Sequence, residues 1–246
     1  MSIKVDIVIP VLNEEKALPV CISNLIAFLS EQSPYSYRIV IADNGSVDST
    51  PEIAQALSEQ YPVVSWIHLD VRGRGRALRK AWLESDADIL SYMDVDLSTN
   101  LESFPDLVKG IGEQGFDLAI GSRLMKKSIV KKRTIKREFT SRVYNLIIKT
   151  IFFTRFTDAQ CGFKAISRSA AQLLIPHVKD QGWFFDSELL ILAEKNGFMI
   201  KDVPVTWIDD PDSRVNVIKT ATDDLKGLWR LRTGGLSDVA RKLRSN

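Results

Sequence analysis

Short apolar runs alternate with amphipathic segments through the first half of the chain, and this rhythm limits the fold more than any other feature. The apolar runs predict strands over residues 5–12, 38–42, 63–68 and 89–93. Between them, apolar residues spaced three or four apart predict helices over residues 18–29, 49–60 and 76–84. Strands and helices that alternate in this way form parallel βαβ units. The sequence therefore predicts an α/β fold with a doubly wound, mostly parallel sheet.

The second half of the chain is less regular. After a strand at residues 119–121, we expect helices over 135–153 and 186–195, a strand over 198–207 and a C-terminal helix of mixed charge. The chain has 246 residues, 45% of them hydrophobic, which suffices for one sizeable core. We therefore predict a single domain over residues 1–246, with a regular half at about 1–121 and an irregular half at about 122–232.

Basic residues concentrate in one segment although the whole chain is nearly balanced, with 33 Lys and Arg against 31 Asp and Glu. Between residues 123 and 142 there is one acid, Glu138, and there are nine bases: Arg123, Lys126, Lys127, Lys131, Lys132, Arg133, Lys136, Arg137 and Arg142. Near an anionic leaflet each such base contributes roughly 1 kcal/mol. The segment therefore predicts contact with phosphate groups, with a membrane surface, or with both.

The helix predicted over 135–153 carries an apolar stripe that includes Phe139 and Phe153. Because a surface helix normally buries one apolar face, we expect this stripe to pack on the sheet. Contact with the headgroup region of a membrane is the alternative.

Cysteine content and apolar run lengths indicate the compartment. Cys21 and Cys161 have no disulfide or zinc-site spacing, and the first residues show no signal-peptide pattern. The most apolar longer segment, residues 143–156, contains Lys149 and Arg155 and is shorter than the ~20 residues that a spanning helix needs. We expect a cytoplasmic protein, peripheral at the cytoplasmic face of a membrane.

Two carboxylates follow the fourth predicted strand in the motif Asp94-Val95-Asp96. Paired carboxylates repel each other unless a cation neutralises them, and their hard oxygens suit Mg²⁺ or Mn²⁺, which commonly share the phosphates of a substrate. The motif therefore indicates a metal and diphosphate site. A solvated pair that caps a helix beginning near Leu101 is an equally good interpretation of this motif alone.

Polar loops also follow the earlier strands, and ligands of doubly wound sheets bind beyond these strand ends. In the loop after the second strand, Asp43 can accept hydrogen bonds from a base or ribose and Gly45 permits a tight turn, although a plain Asx turn has the same composition. The stretch Gly73-Arg74-Gly75-Arg76 lacks the third glycine of a dinucleotide fingerprint. Its arginines suit a diphosphate or a solvated helix start.

The motifs Pro10-Val11-Leu12-Asn13-Glu14, Asp43-Asn44-Gly45-Ser46-Val47-Asp48 and Asp94-Val95-Asp96, in this order, resemble those of family 2 glycosyltransferases with the GT-A, Rossmann-like fold. The later motifs Gly121-Ser122-Arg123, Asp158-Ala159-Gln160-Cys161-Gly162-Phe163-Lys164 and Trp183-Phe184-Phe185-Asp186-Ser187-Glu188 resemble the branch of dolichyl-phosphate mannose and glucose synthases. The resemblance extends to about Arg214 and implies that residues 1–121 bind the nucleotide and residues 122–232 bind the acceptor.

The resemblance also assigns roles to individual residues. For the nucleotide sugar it implies Pro10, Asn13, Glu14, Asp43, Gly45, Ser46, Arg76 and Asp94. For the acceptor it implies Arg123, Lys132, Arg137, Gln160, Gly162, Lys164, Asp186 and Glu188. Asp94 and Asp96 are the implied ligands of Mg²⁺ or Mn²⁺, and the implied catalytic residues are Asp96, Arg123, Arg137 and Arg214. The chain departs from the family pattern at Asn44, at Ser98 and at Asp210-Pro211-Asp212.

The expected reaction is the inverting transfer of a hexose from a nucleoside-diphosphate sugar, UDP-glucose or GDP-mannose, to a polyprenyl phosphate. A peripheral membrane surface and a separate membrane partner complete the expected partners. One alternative is transfer to a sugar hydroxyl, which needs a general base such as Asp186 or Glu188. The other is a non-catalytic basic binder of membranes or nucleic acid. We expect no nucleic-acid partner, because binding by charge alone needs none of the carboxylate motifs.

Overall fold

The computed structural model describes residues 3–32, 34–209 and 217–244. Its main sheet has seven strands in the order β3-β2-β1-β4-β7-β5-β8, and a small second sheet pairs β6 with β9. The strands are β1 (Lys4–Val11), β2 (Ser36–Asp43), β3 (Val64–His68), β4 (Ile89–Met93), β5 (Leu118–Ser122), β6 (Ile129–Lys131), β7 (Phe163–Ser167), β8 (Ile200–Pro204) and β9 (Thr206–Ile208). The predicted α/β fold with a doubly wound, mostly parallel sheet is confirmed.

Helices cover both faces of the main sheet. They are α1 (Ala17–Gln32), α2 (Thr50–Gln60), α3 (Arg74–Leu83), α4 (Phe104–Gly112), α5 (Ile135–Phe152), α6 (Arg168–Leu174), α7 (Phe185–Lys195), α8 (Val217–Arg230) and α9 (Leu236–Arg244). One core lies under α1, α2 and α4, where Leu25 and Leu107 are buried. The other lies under the remaining helices and centres on Trp82 and Phe185, whose ring centroids are 6.2 Å apart.

Strand β7 enters the sheet in a way that the sequence did not predict. It lies between β4 and β5 and is antiparallel to both, with Met93 opposite Phe163 at one end of the β4–β7 ladder. The pairing brings the segment just before Phe163 to the carboxyl end of β4. Residues from the irregular half of the chain therefore lie beside Asp94.

The prediction of one strand over residues 198–207 is wrong. The segment forms two strands: β8 pairs with β5 in the main sheet, whereas β9 pairs with β6 in the small sheet. Val205 lies between them, and its backbone N–H donates to the carbonyl of Ser122. The apolar pattern continues across both strands because both are partly buried, so periodicity alone does not reveal the change of partner.

The expectation that the whole apolar stripe of α5 packs on the sheet is also wrong. Ile148 and Phe152 are buried in the core, but a second row of apolar side chains faces outward. Ile135 is 90% exposed, Phe139 68% and Phe153 82%. The apolar residues of α5 thus occupy two faces, of which one is in the core and the other is in contact with solvent.

Helix α8 buries a carboxylate, Asp224, against the rest of the domain. The groups that act on it are Tyr144 of α5, Asp186 of α7, Asp180 in the loop before α7, and its helix neighbour Asp223. Burial raises the pKa of Asp224 to about 7; the hydrogen bond from Tyr144 opposes this rise, and repulsion from the three aspartates adds to it. Ionised Asp224 therefore opposes the docking of α8.

The free energy of unfolding should consequently depend on the ionisation of Asp224. The folded chain retains this proton to a higher pH than the unfolded chain, so the stabilisation is complete below the ordinary pKa of 3.8 and is lost as pH rises to about 7. Asp224→Asn should flatten the decline in stability over this interval. Denaturant unfolding of both proteins at a series of pH values measures the effect, and parallel pH profiles would contradict it.

Candidate active site

The loops after β1 and β2 are joined by hydrogen bonds at the carboxyl edge of the sheet. The backbone N–H of Asn13 donates to Ser46 Oγ at 2.8 Å, and the Asn13 side-chain oxygen accepts from the Val47 N–H at 2.8 Å. The backbone N–H of Glu14 donates to Thr50 Oγ1, also at 2.8 Å. Asn13 has a φ of 56°, a left-handed conformation that asparagine tolerates. The structure thus brings Asn13, Glu14 and Ser46, all predicted to bind the nucleotide sugar, to one place.

Asp43 lies at the end of β2 and is fully buried. Its carboxylate is 2.6 Å from His68 Nδ1 and accepts from the Ser46 N–H at 3.3 Å. Gly45 closes the turn with a φ of 74°, and a Cβ there would lie 3.2 Å from the Leu69 carbonyl oxygen. Asp43 therefore joins the loops after β2 and β3, while its contact with a nucleoside stays a prediction.

Asp94 leaves the end of β4 and lies against Gly162. The Asp94 N–H donates to the Gly162 carbonyl at 3.2 Å, and a Cβ on Gly162 would lie 1.7 Å from Asp94 Oδ2. No side chain fits at position 162 without moving the carboxylate. The side chain of Asp94 remains 43% exposed, so it is open to a ligand on its other side.

Asp96 lies in a tight turn just beyond Asp94. Its Oδ1 accepts from the Ser98 N–H at 2.9 Å, and the intervening Leu97 has a φ of 49°. The two carboxylates offer the hard oxygen ligands that Mg²⁺ and Mn²⁺ prefer. In the described part of the chain, no group of three or more His, Cys, Asp or Glu side chains could hold a metal ion. The site therefore fits a cation that takes its other ligands from a diphosphate and water.

Arg74, at the start of α3, makes the most central contact of the site. Its Nη2 donates to Asp94 Oδ1 at 2.9 Å and its Nη1 to Asp186 Oδ2 at 2.5 Å. The guanidinium carbon lies 4.7 Å from the ring centroid of Tyr92 and 5.0 Å from that of Trp183. The sequence interpretation assigned Arg76, not Arg74, to the nucleotide sugar. Arg76 is half-buried, and its backbone N–H donates to the Gln181 carbonyl.

The two glycines beside Arg74 were the available signal for its position. A Cβ on Gly73 would lie 2.5 Å from the Gln181 carbonyl oxygen, and one on Gly75 would lie 2.6 Å from Phe185 Cβ. The Gly73 N–H also donates to Asn44 Oδ1 at 2.6 Å. Close packing at both glycines fixes the start of α3 against the segment that precedes α7, and Arg74 then reaches Asp186.

Lys164 and Asp186, both assigned to the acceptor, are buried together beneath Asp94. Asp186 accepts from Tyr92 Oη at 2.7 Å and lies 3.5 Å from Lys164 Nζ. Burial by itself raises the pKa of Asp186, but the charges of Lys164 and Arg74 outweigh it and lower the pKa below its ordinary value. The acceptor roles of these residues stay predictions, and the structure places both in a buried charge cluster.

Glu188 is likewise buried, two residues further along α7. Its Oε2 accepts from Arg230 Nη2 at 2.5 Å and from the Asp180 N–H at 2.8 Å. Glu188 therefore ties α8 and the loop before α7 to the domain.

Arg123, assigned to the acceptor phosphate, is engaged by a buried carboxylate. Its Nε and Nη2 donate to Asp158 at 2.8 and 3.0 Å. Burial alone raises the pKa of Asp158, but Arg123 lowers it to about 2. Trp207 lies 5.3 Å from the guanidinium carbons of both Arg123 and Arg133. The pair with Asp158 therefore fixes the position of the Arg123 guanidinium.

The remaining predicted residues lie around this centre. Arg137 contacts Asp209, and Lys132 and Gln160 are exposed. Pro10 is half-buried near the end of β1. Arg214 and the departure at residues 210–212 lie outside the described residues.

Comparison with known proteins gives a family and several relatives. The family model "Glycosyl transferase family 2" matches residues 6–174. The glycosyltransferase AglD of Haloferax volcanii is 34% identical over 94% of this chain, which spans 38% of that protein. The dolichyl-phosphate beta-glucosyltransferase of Dictyostelium discoideum is 29% identical over 94% of this chain and 74% of its own length. The enzyme of that name from Saccharomyces cerevisiae is 28% identical over 90% and 73%.

Solved structures show the same fold. Glucosyl-3-phosphoglycerate synthase of Mycobacterium tuberculosis superposes with a TM-score of 0.66 at 19% identity, covering 96% of this chain and 80% of that one. A second structure of that enzyme, with Mn²⁺, UDP-glucose and phosphoglyceric acid, gives a TM-score of 0.65 at 16% identity, covering 96% and 79%. The likeness confirms the expected GT-A fold.

The close approach of Gly162 to Asp94 predicts the effect of a single methyl group. Gly162→Ala should displace the Asp94 carboxylate and abolish stabilisation by Mn²⁺ with a nucleotide, while the fold itself loses little stability because the displaced group is the end of a partly exposed side chain. Thermal unfolding with and without these ligands measures both effects.

Gly182→Ala is the matched control. A Cβ at position 182 would meet only Asp180 Oδ1, at an ordinary 3.5 Å. Ligand stabilisation in Gly162→Ala equal to that in Gly182→Ala would contradict the role given to this contact.

Proposed function

Since the chain belongs to glycosyl transferase family 2, we propose that it transfers a hexose from a nucleoside-diphosphate sugar to a polyprenyl phosphate. The observation that carries the choice of acceptor is the state of Asp186 and Glu188. Both are buried and ion-paired, so neither is poised to take a proton from a hydroxyl. A phosphate acceptor is already anionic and nucleophilic and needs no general base. The names of the dolichyl-phosphate relatives support the same acceptor class.

The donor binds at the carboxyl edge of the sheet in this proposal. Asp94 and Asp96 would hold Mg²⁺ or Mn²⁺, and when bound the cation stabilises the departing diphosphate. The loops that contain Asn13, Glu14 and Asp43 orient the nucleoside. The glucosyl relatives favour UDP-glucose over GDP-mannose as the donor. The expected displacement occurs in one step with inversion at the anomeric carbon.

The acceptor phosphate approaches from the side of β7 and the basic segment. Arg123 is fixed there by Asp158, and Arg137 and Lys132 lie on the same segment. Two anionic substrates repel each other, so the main task of these side chains is to bring both phosphates together in the right orientation. Gln160 is a further proposed acceptor residue, and Arg214 is a further proposed catalytic residue.

Transfer to a sugar hydroxyl is the second candidate, and the lowered pKa of Asp186 disfavours it. A base with a lowered pKa is weaker than an ordinary carboxylate. Nucleic-acid binding is disfavoured because binding by charge alone needs none of the carboxylate motifs.

The exposed face of α5 supports a peripheral contact with a membrane. Its apolar row of Ile135, Phe139, Leu146 and Phe153 is bordered by basic residues. The basic segment 123–142 contains only one acid, Glu138, which pairs with Arg133 and Arg142. An apolar row with a basic border suits the interface of an anionic bilayer.

None of the described helices is both long and apolar enough to cross a membrane. The cytoplasmic face and a separate membrane partner remain parts of the proposal.

Transfer of label from the nucleotide sugar to the lipid tests the proposed reaction. With UDP-glucose or GDP-mannose and polyprenyl phosphate, we expect labelled product in the organic phase that EDTA abolishes. Asp96→Asn should lower the rate at least about a hundredfold, because charge stabilisation of the leaving group is a major catalytic term.

Asp70→Asn is a control for the loss of one exposed carboxylate near the same edge, and it should leave the rate almost unchanged. Label that appears only in a sugar-hydroxyl product would overturn the acceptor assignment. Transfer that persists in EDTA would overturn the metal site.

Flotation with lipid vesicles tests the membrane contact. The double variant Phe139→Ser/Leu146→Ser should bind anionic vesicles roughly tenfold or more weakly, because each buried apolar side chain contributes about 1.5–3 kcal/mol. Val20→Ser/Met199→Ser removes two comparably exposed apolar side chains elsewhere and should bind normally. Equal binding by both double variants would rule out the α5 face as the contact.

A further inference from the structure

We propose that Arg74 is the counter-ion of Asp94 while the donor is absent, and that it exchanges Asp94 for the donor diphosphate when a divalent cation binds there. The inference rests on the proposed function and deepens it by adding a specific step to donor binding. Three features of the site support it. The contact of Arg74 with Asp186 is fixed, its contact with Asp94 can break, and a bound cation changes the charge next to the guanidinium.

The fixed end is the contact of Arg74 with Asp186. Nη1 lies 2.5 Å from Asp186 Oδ2, and both side chains are buried. Asp186 is immobilised by Tyr92 Oη at 2.7 Å and lies 3.5 Å from Lys164 Nζ. If this ion pair broke, the buried Asp186 carboxylate would lose its arginine partner, which is costly. Arg74 therefore stays paired with Asp186 whether or not a donor is bound.

The movable end is the contact with Asp94. It is longer, at 2.9 Å, and Asp94 is the partly exposed member of the pair. The guanidinium carbon lies 4.7 Å from the ring centroid of Tyr92, which is buried, and 5.0 Å from that of Trp183, which is 51% exposed. Cation–π contacts act on the guanidinium as a whole and do not require that Nη2 point at Asp94. The second nitrogen of the fork can thus leave Asp94 while the first stays on Asp186.

Electrostatic repulsion favours the movement of the Arg74 guanidinium away from Asp94. A divalent cation on Asp94 and Asp96 competes with Arg74 for the same carboxylate and repels the guanidinium. The diphosphate that arrives with the cation is an anion that suits the arginine fork. In the absence of a donor, the same guanidinium neutralises Asp94, which reduces its repulsion from Asp96. Arg74 therefore pairs with Asp94 when the donor is absent and with the diphosphate when the donor is bound.

This exchange predicts that removing the charge of Arg74 has opposite effects on two ligands. In Arg74→Gln, Mn²⁺ alone should bind several-fold more tightly because its competitor for Asp94 is gone. UDP in the presence of saturating Mn²⁺ should bind at least about tenfold more weakly because a charge-assisted hydrogen bond is lost. Electron paramagnetic resonance of free Mn²⁺ measures the first affinity, and calorimetry measures the second. A purely structural role would weaken both.

Arg38→Gln is the matched control, because Arg38 also bridges two aspartates, Asp6 and Asp86, from β2 at the opposite end of the sheet. It should leave both affinities unchanged even if it lowers stability. Arg74→Lys is the second variant, in case Arg74→Gln does not fold. Its single ammonium group is a point charge that replaces the planar fork, so it should show both effects in the same directions but smaller.

The outcomes separate the inference from the proposed function. If the wild-type protein binds UDP or GDP with Mn²⁺ but the Arg74 variants weaken both ligands together, or change neither, the exchange is wrong and the proposed function stands. If the wild-type protein binds neither nucleotide with Mn²⁺, both are overturned. Opposite changes in the two affinities, absent from Arg38→Gln, would establish the exchange.

Discussion

The bridge from Asp94 through Arg74 to Asp186 is the interaction on which the arrangement of the site depends. It connects the start of α3 and the end of β4, which are neighbours in the chain, to the start of α7, more than a hundred residues later. Tight packing at Gly73 and Gly75 sets the position of Arg74, and Gly162 leaves room for the carboxylate of Asp94. Each contact is short because a glycine stands where any side chain would collide. Small residues thus determine where the charged ones lie.

The charges of this region balance one another, and all of them except Asp94 are largely buried. Arg74 faces Asp186 and the partly exposed Asp94, Lys164 faces Asp186, and Arg123 faces Asp158. Such pairs contribute little net stability, because desolvation offsets much of their attraction, but loss of one partner is costly. Their value is rigidity: the buried pairs fix Arg74 on Asp186 and Arg123 on Asp158. The proposed reaction between two anionic substrates would depend on such fixed positive charges.

Much of the regular half could be predicted from the sequence, because strand and helix periods report burial directly. The strand at residues 89–93 and the helix near 49–60 are examples. The irregular half was harder. Strand β7 is five residues long, and its antiparallel place between β4 and β5 follows from pairing with distant partners, which no local pattern encodes. Arg74 was considered with Arg76 as suited to a diphosphate but was not assigned to the site, because its partners lie 20 and 112 residues away. For the apolar stripe of α5, packing on the sheet was expected over membrane contact, because apolar spacing is the same on a buried face and an exposed one.

The central claim is that one cation at Asp94 and Asp96 holds the diphosphate of the donor. Pulsed electron–nuclear resonance of protein-bound Mn²⁺ with UDP tests it most directly, since a phosphorus coupling arises only if the diphosphate ligates the metal. We predict a phosphorus coupling in the wild-type protein, and loss of the bound species in Asp94→Asn and in Asp96→Asn. Bound Mn²⁺ whose spectrum is the same in wild type and both variants, or that shows no phosphorus coupling, would contradict the account.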